Sequence, residues 1–467
     1  MRNNRLHLGL WLGCAVLFIT IAIILTRQNK TMVLLGNQTD ATGLVIENYL
    51  PNEGLVVKTL LQNNWLGISD IANSTYSQLR EALVTGISKR MATSETALIK
   101  LSDNQLSSIA LAYRFLLESK TKSEEALKLM PFQDLKQAIV NCNTAHTTYS
   151  VSNLKHFSLD ENLKIAYQWW LPKKHARLIA QINKVDAQNA YYKLKDDTNK
   201  IIEVLRVVQA NEIEYKYLGV YHRMVGRNHF ILFLAGSNDL KTWNFITELG
   251  DRSHQGDIKK WGSGYLLVNE EDKKEGSNNI RVRFYASYHD LCKNRPKYSK
   301  ALARNFSKYA EGTPDIRKIE GDSPNNSTIL LGFHYFNNGD VDYQAMGILK
   351  DFSHWKAWKD EISNKNIIDM GFKGNIGARS AFTVTGSDFV LLEAQGRKRD
   401  FSSWRLLLGD GAFYTTLNLK TPKNASSFAN PGVSKIADNE LAITTFLPTE
   451  GNSGGENGQL LYTISIE

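Results

Sequence analysis

Cysteine is scarce in this 467-residue sequence, and the placement of its three cysteines excludes a disulfide framework. Cys14 lies in an apolar stretch near the amino terminus, whereas Cys142 and Cys292 are far apart in the chain. No Cys-x-x-Cys spacing typical of zinc ligands occurs. A single bridge between Cys142 and Cys292 and two separate thiols are both compatible with the sequence, so cysteine usage does not identify a redox compartment.

Clustered basic charge is also missing, although the chain has a net charge of +9 at pH 7. The 56 lysines and arginines are dispersed, with only short runs such as Lys398-Arg399. Proteins that bind nucleic acids usually gather these residues into a patch or stripe, so we predict no nucleic-acid partner. His-x-His and His-Glu-x-x-His spacings are absent too, and we predict no catalytic metal and no cofactor. A single ion in a central channel stays open.

One long apolar run stands out, in residues 8–25. Its 18 uncharged residues are enough for a helix to cross most of a hydrocarbon core, at about 1.5 Å per residue. A cleaved signal peptide is the alternative, but small residues should then follow the run, whereas Ala22 is followed by Ile23, Ile24 and Leu25. We therefore expect a single-pass membrane anchor, with the carboxy-terminal bulk on the extracytoplasmic (lumenal, periplasmic or extracellular) side.

Residues 43–208 contain few glycines and many helix formers. Leu79, Leu83 and Ile87 recur at the spacing of an amphipathic helix, and Ser102 is a candidate amino-terminal cap for a second one. Residues 176–208 are also helix-like. We therefore divide the chain into a membrane segment (1–30), an α-helical region (31–210) and an all-β region (211–467).

The all-β region is predicted to be a five-bladed β-propeller. An Asp-x-x-x-Trp corner occurs three times, at residues 239–243, 351–355 and 400–404. Five polar openings, each followed by an apolar strand, lie about 30–65 residues apart, which is the scale of a four-stranded blade. A β-sandwich would not predict matching openings and corners. We expect residues 459–466 to close the ring by pairing near Tyr215.

The openings supply the candidate site, because the first strand of each blade lines the central channel. Carboxylates gathered there would suit glycosidic cleavage, which requires one acid and one base or nucleophile. Asp257, Asp315 and Asn430 could instead cap turns before their strands. Glu393 could reach the same site or lie at a solvated strand end. The residues of the openings are His222, His254, Asp257, Glu311, Asp315, Arg379 and Asn430.

Several short motifs resemble the five-bladed propeller glycoside hydrolases, notably glycoside hydrolase family 43 and the levansucrase–invertase relatives. These motifs are the Ser-x-Asp-Leu-x-x-Trp corner at 237–243, the Gly-Asp-Ile opening at 256–258 and Glu-Gly-Thr-Pro at 311–314. The resemblance covers about residues 215–467. It implies that Glu311 is the general acid and that Asp257 tunes the pKa of the acid. It also implies a carboxylate base in the preceding blade, where this sequence has Tyr221-His222 instead.

Two functional hypotheses follow from this pattern. The first is a membrane-anchored propeller that hydrolyses or transfers glycosidic bonds, with Glu311 as acid and Asp257 or Asp315 as base or nucleophile. His222, His254, Arg379, Glu393 and Asn430 would then bind the carbohydrate. The second is a non-catalytic propeller that binds a glycan or a protein, which the missing carboxylate in the first blade favours.

Overall fold

The computed structural model describes residues 52–451 and 454–466 of the chain. It has an α-helical region followed by five four-stranded antiparallel sheets. The predicted membrane anchor, residues 8–25, lies outside the described residues. Within the described ranges, no helix has both the length and the apolar character needed to cross a bilayer.

The helical region forms a bundle whose helices begin at good capping residues. Thr75, Ser102 and Ser158 each accept a hydrogen bond from the backbone N–H three residues later and form reciprocal capping boxes. Leu79, Leu83 and Ile87 are buried on one face, as the spacing predicted. The helices are α1 (Glu53–Gln62), α2 (Ile68–Asn73), α3 (Tyr76–Ser88), α4 (Glu95–Leu98), α5 (Asp103–Glu118), α6 (Glu124–Lys128), α7 (Leu135–His146), α8 (Val151–His156), α9 (Leu159–Lys174) and α10 (Ala176–Asn183).

The helical region ends earlier than the sequence suggested. Residues 190–192 and 203–209 are β-strands, so the prediction of helix over 176–208 is wrong beyond Asn183. The second of these strands, Glu-Val-Leu-Arg-Val-Val-Gln, is rich in β-branched residues and buried along its interior. Burial on both faces removes the alternation that marks a half-exposed strand, which is why its pattern resembles that of a buried helix.

The five sheets are the blades of a propeller, and the first strand of each contacts its neighbours around a central axis. This confirms the predicted fold of the carboxy-terminal region. From the axis outwards, blade 1 contains β2 (Glu203–Gln209), β3 (Tyr217–Gly226), β4 (His229–Ser237) and β5 (Asn244–Asp251); blade 2 contains β6 (Ser253–Trp261), β7 (Gly264–Asp272), β8 (Asn278–Tyr285) and β9 (Tyr298–Ala301); blade 3 contains β10 (Glu311–Ser323), β11 (Asn326–Asn337), β12 (Val341–Lys350) and β13 (His354–Lys359); blade 4 contains β14 (Ile376–Val384), β15 (Ser387–Gln395), β16 (Trp404–Gly409) and β17 (Tyr414–Thr416); blade 5 contains β18 (Ala429–Ala437), β19 (Glu440–Leu447), β20 (Gly458–Ser465) and β1 (Ala190–Tyr192).

The ring is closed by the strand that comes first in the chain. Strand β1 pairs with β20, with Tyr191 opposite Leu461, and so completes blade 5. The prediction that residues 459–466 pair near Tyr215 is wrong. Strand β3, which begins at Tyr217, already has β2 on one side and β4 on the other, so it has no free edge.

A β-bulge recurs at the same place in every innermost strand. The pairing with the second strand shifts within 203–206, 254–257, 312–315, 376–379 and 429–432. Val204, Gln255, Thr313 and Asn430 occupy equivalent positions in these bulges, and all have φ near +50°. Because a bulge re-aims the residues on its two sides, it divides each strand into two levels. In each innermost strand, the last paired residue before the bulge and its partner on the second strand belong to what we call the mouth layer. The first paired residue after the bulge belongs to what we call the channel layer.

The helical region is attached to blades 3 and 4 through buried contacts. Phe413, between β16 and β17, stacks on Tyr167 of α9 with 3.7 Å between ring centroids and an interplanar angle of 9°. The Nζ atom of Lys58 in α1 lies 2.5 Å from the Asp360 carboxylate, and both residues are buried. Asp360 is the amino-terminal cap of the last described α-helix, α12 (Glu361–Asp369), which follows blade 3. The remaining helix, α11 (Tyr288–Cys292), is short and lies within blade 2.

Candidate active site at the mouth of the propeller

Charged side chains occupy four of the five positions of the channel layer. The Arg379 guanidinium donates to the Asp315 carboxylate at 3.2 Å, and the two side chains are 0% and 2% exposed. Arg206 donates to the Pro431 carbonyl, and a Cβ on Gly432 would lie only 2.5 Å from the Arg206 guanidinium. The channel layer consists of Arg206, Asp257, Asp315, Arg379 and Gly432.

Asp257 belongs to this layer and joins blades 2 and 3. One carboxylate oxygen accepts from the backbone N–H of Ile316 in blade 3 at 2.8 Å, and the other accepts from Ile258 at 3.0 Å. Burial raises the pKa of the Asp257 carboxyl. The structure therefore brings Asp257, Asp315 and Arg379 close to the axis, as the sequence predicted, and engages each of them in inter-strand or inter-blade bonds.

Glu311, the predicted acid, begins the innermost strand of blade 3. One of its oxygens accepts hydrogen bonds from three successive backbone N–H groups, those of Asn305 at 2.7 Å, Phe306, and Ser307 at 3.2 Å. Burial raises the pKa of Glu311 to about 7, although these three bonds favour its ionised form. The side chain is therefore directed at the loop that precedes β10.

Glu270 is the buried carboxylate of the mouth layer. Located on β7, it accepts from the Asn278 side chain with one oxygen and from the backbone N–H of Thr313 with the other, at 2.9 Å. A Cβ on Gly312 would lie 2.1 Å from the second oxygen, so only glycine leaves room for this arrangement. Burial raises the pKa of Glu270.

His254 lies beside Glu270, and the His222 ring packs against His254 with 5.7 Å between centroids. The His254 Nε2 atom is 3.7 Å from Glu270 and 3.1 Å from Asp272. Burial opposes the charged imidazole, but the two carboxylates outweigh it and raise the pKa of His254. His222 accepts from the backbone N–H of Gln255 at 3.1 Å, and burial keeps its pKa well below the usual value.

Asp342 is a carboxyl on the third strand of blade 3, beside the mouth layer, and it was not predicted from the sequence. It lies at the start of β12, 3.9 Å from the His334 imidazole of β11, and its side chain is 20% exposed. Burial, together with the charges of Glu270 and Glu393, raises the pKa of Asp342 to about 7. Burial and the charge of Arg379 lower the pKa of His334 to about 3. The acidic hairpin at 337–342, Asn-Asn-Gly-Asp-Val-Asp, was the only signal for it in the sequence.

Glu393 and Asn430 form a second inter-blade contact, between blades 4 and 5. One Glu393 oxygen accepts from the backbone N–H of Ala378 at 2.7 Å, and the other accepts from the backbone N–H of Asn430. Burial raises the pKa of Glu393. Asn430 contributes its backbone here, at the same bulge position that Thr313 occupies beside Glu270.

The first blade does begin with a carboxylate. Its innermost strand is β2, which starts at Glu203, and Tyr221-His222 belong to the second strand, β3. The prediction that Tyr221-His222 open the blade is therefore wrong, because the strand that precedes them was taken for helix. Glu203 lies opposite His222, as His254 lies opposite Glu270. Burial raises the pKa of Glu203.

Polar side chains lie on one side of the mouth layer only. Blades 1 to 3 place His222, Glu270 and His334 on their second strands, whereas the equivalent residues of blades 4 and 5 are Ala394 and Phe446.

His254, Glu270 and Asp272 each offer a ligand atom within 4.8 Å of the others, so these three residues could hold a cation. A cavity of about 990 Å³ lies elsewhere, between the helical region and α12.

Comparison with solved structures finds propeller glycoside hydrolases at low identity. A thermostable family-43 glycoside hydrolase matches with 10% identity and a TM-score of 0.38, over 56% of this chain and 88% of that one. A family-43 endo-arabinanase from Bacillus licheniformis gives 9% and 0.38, over 58% and 96%. An α-L-arabinofuranosidase from Fusarium graminearum gives 11% and 0.38, over 60% and 98%. Two of these three structures are described as family-43 enzymes, the family that the sequence motifs resemble.

No protein-family model matches the chain, and no curated protein sequence matches it. Identities near 10% assign no activity to this chain.

Proposed function

We propose that the propeller is carbohydrate-active and hydrolyses or transfers glycosidic bonds at its mouth. The observation that carries this proposal is the pair Glu270 and Asp342. Both are carboxyls with raised pKa values, Glu270 in the mouth layer and Asp342 beside it, and the charge of Glu270 contributes to the shift of Asp342. Two carboxyl groups in different protonation states are what glycosidic cleavage requires.

We infer the two roles from the hydrogen bonds of Glu270 and from the raised pKa and exposure of Asp342. Both Glu270 oxygens accept from N–H groups, which favours its carboxylate. Asp342 keeps its proton up to about pH 7 and is partly exposed, so it can donate that proton to the oxygen of a leaving sugar. In this assignment Glu270 is the base or nucleophile and Asp342 is the general acid.

The residues first predicted as catalytic then have supporting roles. Asp257 and Asp315 join strands and blades beneath the mouth, and Glu311 holds the loop before β10. In this proposal His222 and His254 would line the sugar site at the mouth. Arg379, Glu393 and Asn430 act indirectly, by fixing the channel layer and the junction of blades 4 and 5.

The test is hydrolysis by the purified chain of a panel of aryl glycosides and of plant, fungal and bacterial polysaccharides. We expect Asp342→Asn and Glu270→Gln each to reduce the rate by about 10²–10⁴. Asp340→Asn is the matched control, because Asp340 is exposed and lies in the same hairpin. Its rate should stay within about twofold of wild type, as expected for a surface substitution. An unchanged rate in Asp342→Asn would show that the acid is another residue.

A second candidate function is glycan or protein binding without catalysis. The observation that favours it is that Asp257, Asp315 and Glu311 all make structural hydrogen bonds. If the folded wild-type chain cleaves nothing in the panel, the same panel is tested for affinity. Weaker binding in Glu270→Gln than in Asp340→Asn would then assign the mouth to recognition.

Membrane anchoring by residues 8–25, with the propeller on the extracytoplasmic side, is part of the same proposal. Its support is the length of the uncharged run. Alkaline carbonate extraction of membranes tests it, because an anchored chain stays in the pellet and a chain lacking residues 1–30 is released.

A further inference from the structure

The cavity of about 990 Å³ between the helical region and α12 has the size of a binding site. Ligand sites usually have volumes of about 300–1,000 Å³ and occur preferentially where two parts of a molecule meet. Leu55 of α1 and Ile109 of α5 contribute to the wall from the helical region, and Ile362 and Asn366 of α12 contribute to it from the propeller. An occupant would therefore contact both parts of the molecule.

This cavity lies on the side of the propeller that carries the mouth. Helix α12 joins β13 to β14, and β14 begins at Ile376, the mouth-layer residue of blade 4. The Asn364 side chain of α12 accepts from the backbone N–H of Gln344 at 2.8 Å and donates to its carbonyl at 3.0 Å. Tyr343, which lines the cavity, lies between this contact and Asp342, the proposed acid. A single peptide unit, about 3.8 Å between Cα atoms, thus separates the cavity wall from the proposed catalytic site.

The cavity is rich in neutral hydrogen-bonding groups. A side-chain amide both donates and accepts, so it is suited to the hydroxyl groups of a ligand. The amides of Asn104 and Gln133 are exposed and have no hydrogen-bond partner among the described residues. Ser107 is 2% exposed, and its hydroxyl also has no partner there. A ligand that carries hydroxyl groups can supply these partners, whereas an alkyl chain cannot. The six amides of the lining are Asn52, Asn104, Gln105, Gln133, Asn364 and Asn366.

The charges of the lining are balanced, which favours a neutral ligand. The Lys365 ammonium lies 2.9 Å from the Asp160 carboxylate. Lys136 donates to the Lys155 backbone carbonyl at 2.8 Å. Glu361 is the fourth charged residue of the lining. Two lysines and two acids leave no surplus of either sign, and a buried charge on the ligand would need such a surplus.

We propose that this cavity binds a neutral segment of the polysaccharide whose glycosidic bond is cleaved at the mouth. Phe132 and Tyr343 are half-buried in the lining and supply aromatic surface for the apolar faces of sugar rings, while the amides pair with the sugar hydroxyls. The inference rests on the carbohydrate activity proposed for the mouth. It adds that the substrate is a neutral polymer, long enough to contact the mouth and the helical region together.

The experiment measures binding by isothermal titration calorimetry, with the full chain in lipid nanodiscs. Asp342→Asn is present throughout, so that the ligand is not cleaved. The probes are neutral linear oligosaccharides of arabinose, xylose, galactose, mannose or glucose, of which we expect at least one to bind. Asn104→Ala combined with Gln133→Ala should raise its Kd about tenfold, because two hydrogen-bonding amides are lost. Asn153→Ala, at an exposed amide of α8 outside the cavity, is the matched control and should change the Kd by less than about twofold.

A second variant fills the cavity instead of removing its amides. Ser108→Trp places a large ring in the lining and should abolish binding. Ser152→Trp, at an exposed position of α8 outside the cavity, is its matched control and should retain binding. The thermal transition of each variant reports whether it folds. Because Asn104 and Gln133 are exposed, their substitution tests the cavity even where Ser108→Trp disturbs α5.

Two results would overturn the proposal. One is oligosaccharide binding that is absent, or that is equal in the cavity variants and their controls. The other is a cavity that binds a long-chain fatty acid and no oligosaccharide, with Ser108→Trp blocking the fatty acid, because the ligand would then be a lipid.

Hydrolysis of an aryl glycoside by the wild-type chain separates this proposal from the one on which it rests, since so short a substrate cannot contact both places. Aryl glycoside hydrolysis together with either of these two results rejects the cavity site alone. Binding that the cavity variants weaken, without hydrolysis of any substrate, rejects catalysis at the mouth and retains the cavity as a glycan site.

Discussion

The Glu270 carboxylate of blade 2 accepts a hydrogen bond from the backbone N–H of Thr313 in blade 3, at 2.9 Å. Thr313 can present this N–H because the bulge holds it at φ +47°. The contact therefore depends on a recurring backbone feature rather than on a side-chain pair. Glu393 and the backbone N–H of Asn430 repeat it between blades 4 and 5.

Gly312→Ala tests how closely this contact is fitted. The added Cβ would lie 2.1 Å from the Glu270 carboxylate, so the carboxylate or the strand must shift. We expect the free energy of unfolding in urea to fall by about 1–3 kcal/mol. Gly256→Ala in the bulge of blade 2 is the control, since its Cβ would meet methyl groups of Leu232 and Val220, at 3.1–3.4 Å. Equal effects of the two substitutions would contradict the fitted contact.

All five blades were predicted from the sequence, but only blades 2 to 5 had their innermost strands identified, because their openings contain glycine, proline or a short polar run before an apolar strand. The opening of blade 1 has neither glycine nor proline, and a helix-like stretch precedes it, so Glu203 and Arg206 were missed. The closing strand β1 has only three residues, too few for any periodicity to show.

The site was harder to predict than the fold, for a physical reason. Openings identify which residues approach the axis, but the bulge decides which of them face the mouth and which face the channel. Asp257 and Asp315 follow the bulge and are bonded below the mouth. Glu270 and Asp342 lie on second and third strands, and only the strand register brings them to the same end of the channel.

Arg379→Met is expected to destabilise the propeller strongly. The guanidinium is fully buried and donates to Asp315 and to the Gly377 carbonyl, at 3.2 and 2.8 Å. Removing it leaves the Asp315 charge without this partner, which typically costs about 3–5 kcal/mol. Urea denaturation measures the effect. Arg397→Met, at a side chain 77% exposed, should change the unfolding free energy by less than about 0.5 kcal/mol.

Asp342 should make the stability of the chain depend on pH. Its pKa is about 7 in the folded state and about 3.9 in unfolded chains, so the folded state binds more protons between these values. Wild-type stability should therefore fall as the pH rises from about 4 to 7. Asp342→Asn removes this contribution, and its stability relative to wild type should increase across that window and then level off. Urea denaturation at several pH values measures it, and a pH-independent difference between the two proteins would contradict the raised pKa.

Phe413→Ala tests the attachment of the helical region. The ring is 5% exposed and stacks on Tyr167 of α9, so its removal opens a cavity at the junction with blade 4. We expect a loss of about 3–5 kcal/mol in unfolding free energy, as for other buried aromatic truncations. Phe245→Ala, at a ring 38% exposed on blade 1, is the control and should lower the unfolding free energy much less.

Limited proteolysis of Phe413→Ala separates two outcomes. Faster cleavage confined to the helical region means that the junction alone has weakened. Faster cleavage throughout the chain means that the two parts unfold together. Unchanged stability and cleavage would show that the remaining contacts, among them the Lys58–Asp360 and Arg114–Asp410 pairs, are sufficient to hold the two parts together.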